Sequence, residues 1–453
     1  MASYLFSHFY FLIYLLIILV FITHIISTNR PPASTLAWLF LVLVYPGIGI
    51  MLYIILGSRK IIQNKPLIHF FDYEDKIPLT TPVQKVLVAC GAPNPIYNKK
   101  IKLLMNGEDT YNEILNLISN ASTSIYLEIF ILKNDKVARL ILDCLELKAR
   151  EGLDVKILLD GLGAHMPGHP SFKNFIKAGG NVSMFMPLIH RPFRGRANLR
   201  NHRKLIVADS GTAIIGGMNI AEEYMGLQQG EQWVDIAMLI EGPIAAQVED
   251  VFVFDWSYAN RKHYKKTRTS IAVSRTKHLA QLATGGPDIE SDPIYEMLLT
   301  AIYCATKRIY IVTPYFIPDE SLSKALELAS KRGIEINMIV PMKSNHLIAD
   351  FGRMTYIEQI QNAGAKVYYY PKMIHAKLVL IDDSFSFLGS ANIDNRSLLL
   401  NYELGICMYS PEEIQEIKTW FENILLQSIL GDKKFTKLDT YIGRIARLFS
   451  PLI

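Results

Sequence analysis

The chain has 453 residues and a formal charge of +5, half of its residues are hydrophobic, and its mean hydropathy is positive. That length holds two or three domains, and the apolar excess points to a membrane portion. The mild positive charge fits an anionic partner and does not separate a lipid headgroup from nucleic acid. Cys90, Cys144, Cys304 and Cys407 lie far apart, without CxxC or metal-ligand spacing, and read as free core thiols of a reducing compartment.

The N-terminal residues 1–29 contain no Asp, Glu, Lys or Arg, and residues 4–26 are almost wholly apolar, long enough to cross a bilayer. A short turn at Arg30-Pro31-Pro32 leads to a second uncharged run, residues 34–57, which ends at Arg59 and Lys60. The pattern predicts a transmembrane hairpin over residues 1–58, with spans at about 4–26 and 35–57. A cleaved signal peptide would want a positive n-region and one short apolar core, and neither is present. Arg59, Lys60 and Lys65 follow the second span and only Arg30 sits in the turn, so the positive-inside rule puts the C-terminal part in the cytoplasm.

After a linker at residues 59–98 the chain reads as α/β, with short β-branched runs alternating with helical patterns. It also resembles itself. LELKAREGLDVKILLD ending at Asp160 matches LELASKRGIEINMIVP ending at Pro341, and FIKAGGNVSMF matches IQNAGAKVYYY. HRKLIVAD with GGMNI matches HAKLVLID with GSANI. The matches are collinear, which predicts two tandem α/β domains packed face to face, at residues 99–256 and 290–430. Residues 257–289, with Arg261, Lys262, Lys265, Lys266 and Arg268, read as the connection, and residues 431–453 as a basic amphipathic tail.

His202 and Lys204 precede Asp209, Gly216, Gly217 and Asn219; His375 and Lys377 precede Asp382, Gly389, Ser390 and Asn392. Residues two apart on a strand share a face, so each H-x-K step projects an imidazole and an ammonium together. The glycine-rich turn lets a phosphate approach backbone donors and Asn219, Ser390 or Asn392. Two such halves make a reaction centre: one neutral histidine attacks phosphorus and the other, protonated, serves the leaving alcohol. Each imidazole wants an orienting carboxylate, and Asp235 and Glu403 are the candidates, each following the histidine of its own half. Asp209 and Asp382 sit farther along their strands, where fixing a loop is the nearer role. No metal site and no cofactor motif stands out. A lone His-x-Lys is usually structural, but the pattern occurs twice in register with the duplication.

The twin H-x-K-x-x-x-x-D motifs resemble those of the phospholipase D superfamily. The second apolar run, NLRNHRK, GGMNIAEEY, WVD with IEGP, FDW, TPYFIPDE, GSANIDNRS and the final SPLI resemble bacterial cardiolipin synthases of the two-motif type over nearly the whole chain. The resemblance implies two phospholipase D-like domains facing each other behind the hairpin. It implies condensation of two phosphatidylglycerols to cardiolipin and glycerol, with His202, Lys204, Asp209, His375, Lys377 and Asp382 as the catalytic set and His202 as nucleophile. The implied partners are phosphatidylglycerol and anionic membrane lipid, with no nucleic acid, at a bacterial cell membrane. The sequence carries no signal of oligomeric state. Asn345 departs from the family, which often has Asp before the following His, here His346.

Arg191, Arg194, Arg196, Arg200 and Arg203 crowd the approach to the first motif, either to attract headgroups or as a solvated loop. Tyr315 and Phe316 are candidates for a cleft wall or for core. In the tail, Leu438, Tyr441, Ile442, Ile445, Leu448 and Phe449 form a stripe for a membrane surface or for the second domain. The rival functions are a hydrolase of the same superfamily, acting on lipid or nucleic acid, another phosphatidyltransferase, and a membrane scaffold with a dead enzyme domain. The apolar runs favour a lipid substrate over nucleic acid, and the intact motifs argue against the scaffold.

Overall fold

The computed structural model describes residues 2–28, 30, 32–61, 68–70, 77–165, 169–187, 198–226, 232–264, 277–431 and 436–447. The chain divides into two units, residues 1–59 with 189–199, and residues 60–188 with 200–453.

In the first unit, α1 (Ala2–Ser27) is a single helix whose segment Phe6–Ser27 is long and apolar enough to cross a membrane. The second apolar run is not one helix. It forms α2 (Pro32–Val44) and α3 (Pro46–Leu56), because Pro46 has no N–H to continue the ladder. The neighbouring bonds bridge the break: Tyr45 N donates to Leu41 O at 3.0 Å and Gly49 N to Tyr45 O at 2.7 Å. Tyr53 of α3 ties the helices together. Its ring meets Phe21 and Trp38 edge-on at 6.0 and 5.2 Å, and its hydroxyl lies 2.8 Å from His24 Nδ1.

In the second unit, the strands are β1 (Ile96–Asn98), β2 (Lys100–Leu104), β3 (Ser124–Ile129), β4 (Asp154–Asp160), β5 (Asn181–Phe185), β6 (Leu205–Ala208), β7 (Thr212–Gly216), β8 (Ala237–Glu241) and β9 (His278–Gly285). They continue as β10 (Arg308–Val312), β11 (Phe316–Ile317), β12 (Glu335–Pro341), β13 (Lys366–Tyr370), β14 (Leu378–Ile381), β15 (Phe385–Gly389), β16 (Ile393–Asp394), β17 (Glu403–Met408) and β18 (Ile429–Leu430). One sheet runs β2-β8-β7-β6-β3-β4-β5, and a second runs β1-β9-β17-β15-β14-β10-β12-β13-β18. Without the edge strands β1 and β18, the two orders are the same strand for strand, the duplication written in topology. In each sheet only three neighbouring strands pair in parallel, β3-β4-β5 and β10-β12-β13, and helices cross between them. Of these, the middle strands β4 and β12 bury both faces, as the near-continuous apolar runs VKILLD and INMIVP require.

The crossover helices repeat as well. Lys136–Arg150 is capped by Asp135, which accepts from Ala138 N, and buries Val137, Ile141 and Leu145 against its sheet. Glu320–Lys331 is capped by Asp319 in the same way and buries Leu322, Ala325, Leu326 and Ala329. The spacing of three and four residues turns one apolar stripe inward.

Three boundaries drawn from sequence shift. Residues 59–98 carry a helix, Pro82–Ala89, and the strand β1, and both join the second half, where β1 pairs with β9 and Val83 and Leu87 enter the core. The connection also holds β9 itself, and the helix Pro243–Asn260 runs into it from the first half; Lys265, Lys266 and Arg268 lie outside the described residues. In the tail, the helix Lys437–Arg447 packs on the helix Leu347–Asn362, with Gly443 against Phe351 and the Arg447 guanidinium 4.9 Å from the Tyr356 ring. Of the two readings of the tail, the structure has the packed helix; Leu448 and Phe449 lie outside the described residues. Of the four cysteines, which are free, Cys407 is buried and Cys304 is exposed, so not all are core thiols.

Arg200 and Arg203 are neither a headgroup attractor nor a solvated loop, because both are buried; Arg191, Arg194 and Arg196 lie outside the described residues. Arg203 stitches the halves together. Its guanidinium pairs with Asp255, donates to Glu403 O and Gly285 O at 3.2 Å each, and lies 5.2 Å from the Tyr402 ring. Burial and the neighbouring Asp255 push Glu128, beside it, well above the ordinary carboxylate range, while Arg203 opposes that rise. Replacing Arg203 by Met leaves these acids without their cation. The expected loss is about 3–5 kcal/mol of stability, measured by denaturation of the detergent-purified protein.

Candidate active site

His202 and Lys204 sit in the extended stretch entering β6, and His375 and Lys377 in the one entering β14. Both stretches are clamped by backbone from the other half. His202 N donates to Tyr402 O at 2.9 Å and Tyr402 N to Arg200 O at 2.9 Å. His375 N donates to Val234 O at 2.7 Å and Val234 N to Met373 O at 2.9 Å. Tyr402 precedes Glu403, and Val234 precedes Asp235. The clamp therefore delivers each carboxylate to the opposite histidine. His202 Nδ1 lies 3.0 and 3.1 Å from the Glu403 oxygens, and His375 Nδ1 lies 2.8 Å from Asp235 Oδ2. This corrects the expected pairing within each half: the carboxylates are the ones read from sequence, but they cross.

The electrostatics follow from burial. It is the main force pushing His202 down to about 4; Lys204 adds to it and Glu403 opposes it. His375 is pushed well below its usual range by burial, then by Lys377, Lys204, His202 and His346. Both imidazoles are thus neutral at pH 7. Burial also brings Lys204 down to about 7 and Lys377 to about 8, against the pull of the two carboxylates. The carboxylates themselves differ. Burial pushes Asp235 up to about 6, whereas for Glu403 burial is outweighed by His202, Lys204 and the Ser390 hydroxyl, which hold it below its ordinary value.

Ser390 is a phosphate candidate that the structure assigns elsewhere, since its hydroxyl donates to Glu403 Oε2. The equivalent position in the first half is Gly217, where a Cβ would come within 3.0 Å of Asp235 Oδ1 and of Lys377 Cδ. Asn219 accepts from Ile131 N at 3.2 Å and donates to the Tyr224 hydroxyl at 3.0 Å. Asn392 is buried, and its Nδ2 lies 3.3 Å from Ser397 Oγ.

Asp209 and Asp382 lie at the other end of β6 and β14 and do not join this cluster, which corrects their place in the catalytic set. Asp209 accepts from the backbone of Ser122, Thr123 and Ser124 at 2.8–3.0 Å and from the hydroxyls of Ser122 and Thr123. Asp382 does the same for Thr306, Lys307 and Arg308. Both adopt positive φ, 51° and 54°, at the hairpin turn, a conformation Asp tolerates better than most residues. They are staples, the role their distance along the strand suggested.

Sequence reasoning missed the aromatic walls. Tyr224 and Trp233 lie 5.1 and 5.7 Å from the His375 ring, and Phe130 lies 5.1 Å from His202. Their signal was in GGMNIAEEY and QWVD, next to motif residues; Phe130 had none. Tyr315 packs edge-on to His346 at 5.3 Å, while Phe316 is core. Elsewhere, among the described residues, ligand atoms of His278, Glu412 and Glu413 lie within 4.8 Å of one another. The His278–Glu413 hydrogen bond and the start of the helix Pro411–Leu426 account for them.

A family model described as "Cardiolipin synthase, PLD-like domain" matches residues 114–256 and 298–425, and one described as "Phospholipase_D-nuclease N-terminal" matches residues 11–58. The chain belongs to the bacterial cardiolipin synthase family of the phospholipase D superfamily. It is 31% identical to the major cardiolipin synthase of Bacillus subtilis over 98% of each chain. It is also 31% identical to a cardiolipin synthase of Clostridium perfringens, over 94% of this chain and 95% of that one. A crystal structure of phosphatidylserine synthase from Haemophilus influenzae shares the fold, with a TM-score of 0.61 at 16% identity, covering 82% of this chain and 97% of that one. As a member of this family the chain is a membrane-associated phosphatidyltransferase, and the crossed pairs are where its two halves meet.

The staples set a prediction. Burial alone would raise Asp209, but the N–H and hydroxyl donors hold it down at about 2, and they hold Asp382 low as well. A carboxylate depressed on folding stabilises the protein above its unfolded value near 4 and loses that contribution as pH falls through its folded value. Asp209→Asn and Asp382→Asn should each cost about 2 kcal/mol at pH 7 and flatten the acid unfolding limb between about pH 4 and 2. At neutral pH the folded fraction should keep kcat within a few-fold of the parent.

Proposed function

We propose that the protein condenses two phosphatidylglycerols into cardiolipin and glycerol through a phosphohistidine on His202. The observation that carries this reading is the pair of buried imidazoles, each tied at Nδ1 to a carboxylate from the other half. With Nδ1–H donated to Glu403, the lone pair of His202 lies on Nε2, the nucleophilic atom. His202 is also the more open of the two, with 13% of its side chain exposed against 5% for His375.

In the first half-reaction His202 Nε2 bonds to phosphorus, the bond from phosphorus to the headgroup glycerol oxygen breaks, and His375 gives that oxygen its proton. Lys204 and Lys377 neutralise the equatorial oxygens. Burial is the main force depressing His375 and like charge adds to it; a phosphodiester between the lysines offsets the like charge and so favours the proton on His375 as substrate enters. In the second half-reaction a glycerol hydroxyl of another phosphatidylglycerol passes its proton to His375, its oxygen bonds to phosphorus, and the bond to His202 breaks. Asn219 and Asn392 line the phosphate side. Water in place of the second lipid gives the hydrolase reading, which shares every residue.

We read α1 as one membrane span and α2 with α3 as a second, kinked at Pro46. Arg59 and Lys60 beyond the second span, against Arg30 in the turn, favour a cytoplasmic catalytic part.

Purified protein given headgroup-labelled phosphatidylglycerol should yield cardiolipin and labelled glycerol in equal amounts; phosphatidic acid as the sole product would assign it to the hydrolases. His375→Ala should trap an acid-labile phosphoryl adduct that His202→Ala cannot form, and the reverse would exchange the two roles. Because Asp235 is pushed up to about 6, kcat/KM should fall as pH drops through that value, and Asp235→Asn should remove most activity at every pH.

A further inference from the structure

The loop after β12 has properties that the phosphoryl-transfer chemistry leaves unused. Three large apolar side chains there and in the first turn of the helix Leu347–Asn362 face solvent: Met342 is 46% exposed, Leu347 64% and Ile348 55%. Between them Lys343, Asn345 and His346 are exposed as well. The loop is nevertheless firmly built. Ser344 N donates to Asp350 Oδ2 at 2.9 Å, and the Ser344 hydroxyl donates to His346 O and accepts from His346 N, both at 3.1 Å. Arg353 holds Met342 O at 3.2 Å and pairs with Asp350 at 2.9 Å. The apolar side chains are therefore held outward by a pinned backbone, which is the reverse of what core formation would select.

The same loop borders the histidine centre. Tyr315 packs on His346 at 5.3 Å and its hydroxyl meets Asn345 Oδ1 at 2.5 Å. Two residues before Tyr315, the Thr313 hydroxyl accepts from Ile393 N, next to Asn392.

We propose that residues 342–348 dock into the headgroup layer of an anionic bilayer, so that lipid passes from the leaflet to the histidine centre across this lip. The inference rests on the transferase reading for its substrate, a lipid with an anionic headgroup. The occupant is a bilayer on three grounds: the chain carries the apolar helix α1, the exposed apolar side chains flank the exposed polar residues Lys343, Asn345 and His346 as in an interfacial segment, and the segment packs on Tyr315 through Asn345 and His346. None of its exposed apolar residues belongs to the catalytic machinery.

The test compares two substrates with the full chain. In proteoliposomes of phosphatidylglycerol and phosphatidylethanolamine, the variant Leu347→Glu/Ile348→Glu should turn over at least tenfold more slowly than the parent. On short-chain phosphatidylglycerol below its micelle concentration the two should agree within twofold. The variant Ile348→Trp should show fluorescence quenched by brominated phospholipid beyond the quenching of the parent's own tryptophans. Equal losses on both substrates would make the loop part of the site, and an unchanged vesicle rate would remove its membrane role; either overturns the proposal. So would absent quenching together with a change in oligomeric state on mutation, which would assign the patch to a second copy of the chain. Should the parent release only phosphatidic acid, the transferase reading fails, while the quenching still reports on docking.

Discussion

The molecule is organised by an exchange between its halves: the histidine of each motif takes its backbone clamp and its carboxylate from the other repeat. Val234–Asp235 serves His375, and Tyr402–Glu403 serves His202. A single half would present an imidazole without its orienting partner. Duplication here does more than double a site, because neither half is complete alone. The buried Arg203, which reaches Asp255, Glu403 and Gly285 at once, holds the two halves in the register that the exchange needs.

The exchange also sets the chemistry. Two lysines, two histidines and two carboxylates are packed out of water, so charge is expensive, and all of them but Glu403 shift toward neutrality. Neutral imidazoles suit nucleophilic attack, and lysines near neutrality gain charge when a phosphodiester arrives. The symmetry is imperfect where function divides. Ser390 donates to Glu403, whereas Gly217, its counterpart, leaves Asp235 without such a donor and close to neutral titration. The Glu403 carboxylate is thereby kept ionised behind His202, while Asp235 can respond to a proton that reaches His375.

Much of this was legible in the sequence. Collinear repeats foretold the repeated strand order, and the H-x-K steps placed His and Lys on one side of each extended stretch. Asp235 and Glu403 could be picked out as residue types but not paired correctly, since spacing along a chain carries no information about which half a clamp reaches. Asp209 and Asp382 read as catalytic by family pattern and as staples by strand geometry, and the geometry was the better guide. The edge strand β1 was hidden in what looked like linker because its partner β9 lies far along the chain, and non-local pairing leaves little local signature. Arg200 and Arg203 resembled a surface cluster because charge alone does not reveal burial.

A double-mutant cycle on stability in detergent tests the crossing most directly. His202→Ala is combined with Glu403→Gln and with Asp235→Asn, and His375→Ala with the same two. The account predicts coupling of about 1 kcal/mol or more for His202 with Glu403 and for His375 with Asp235, and near-additive effects for the other two combinations. Coupling of His202 to Asp235, or of His375 to Glu403, with additivity in the crossed pairs, would contradict it.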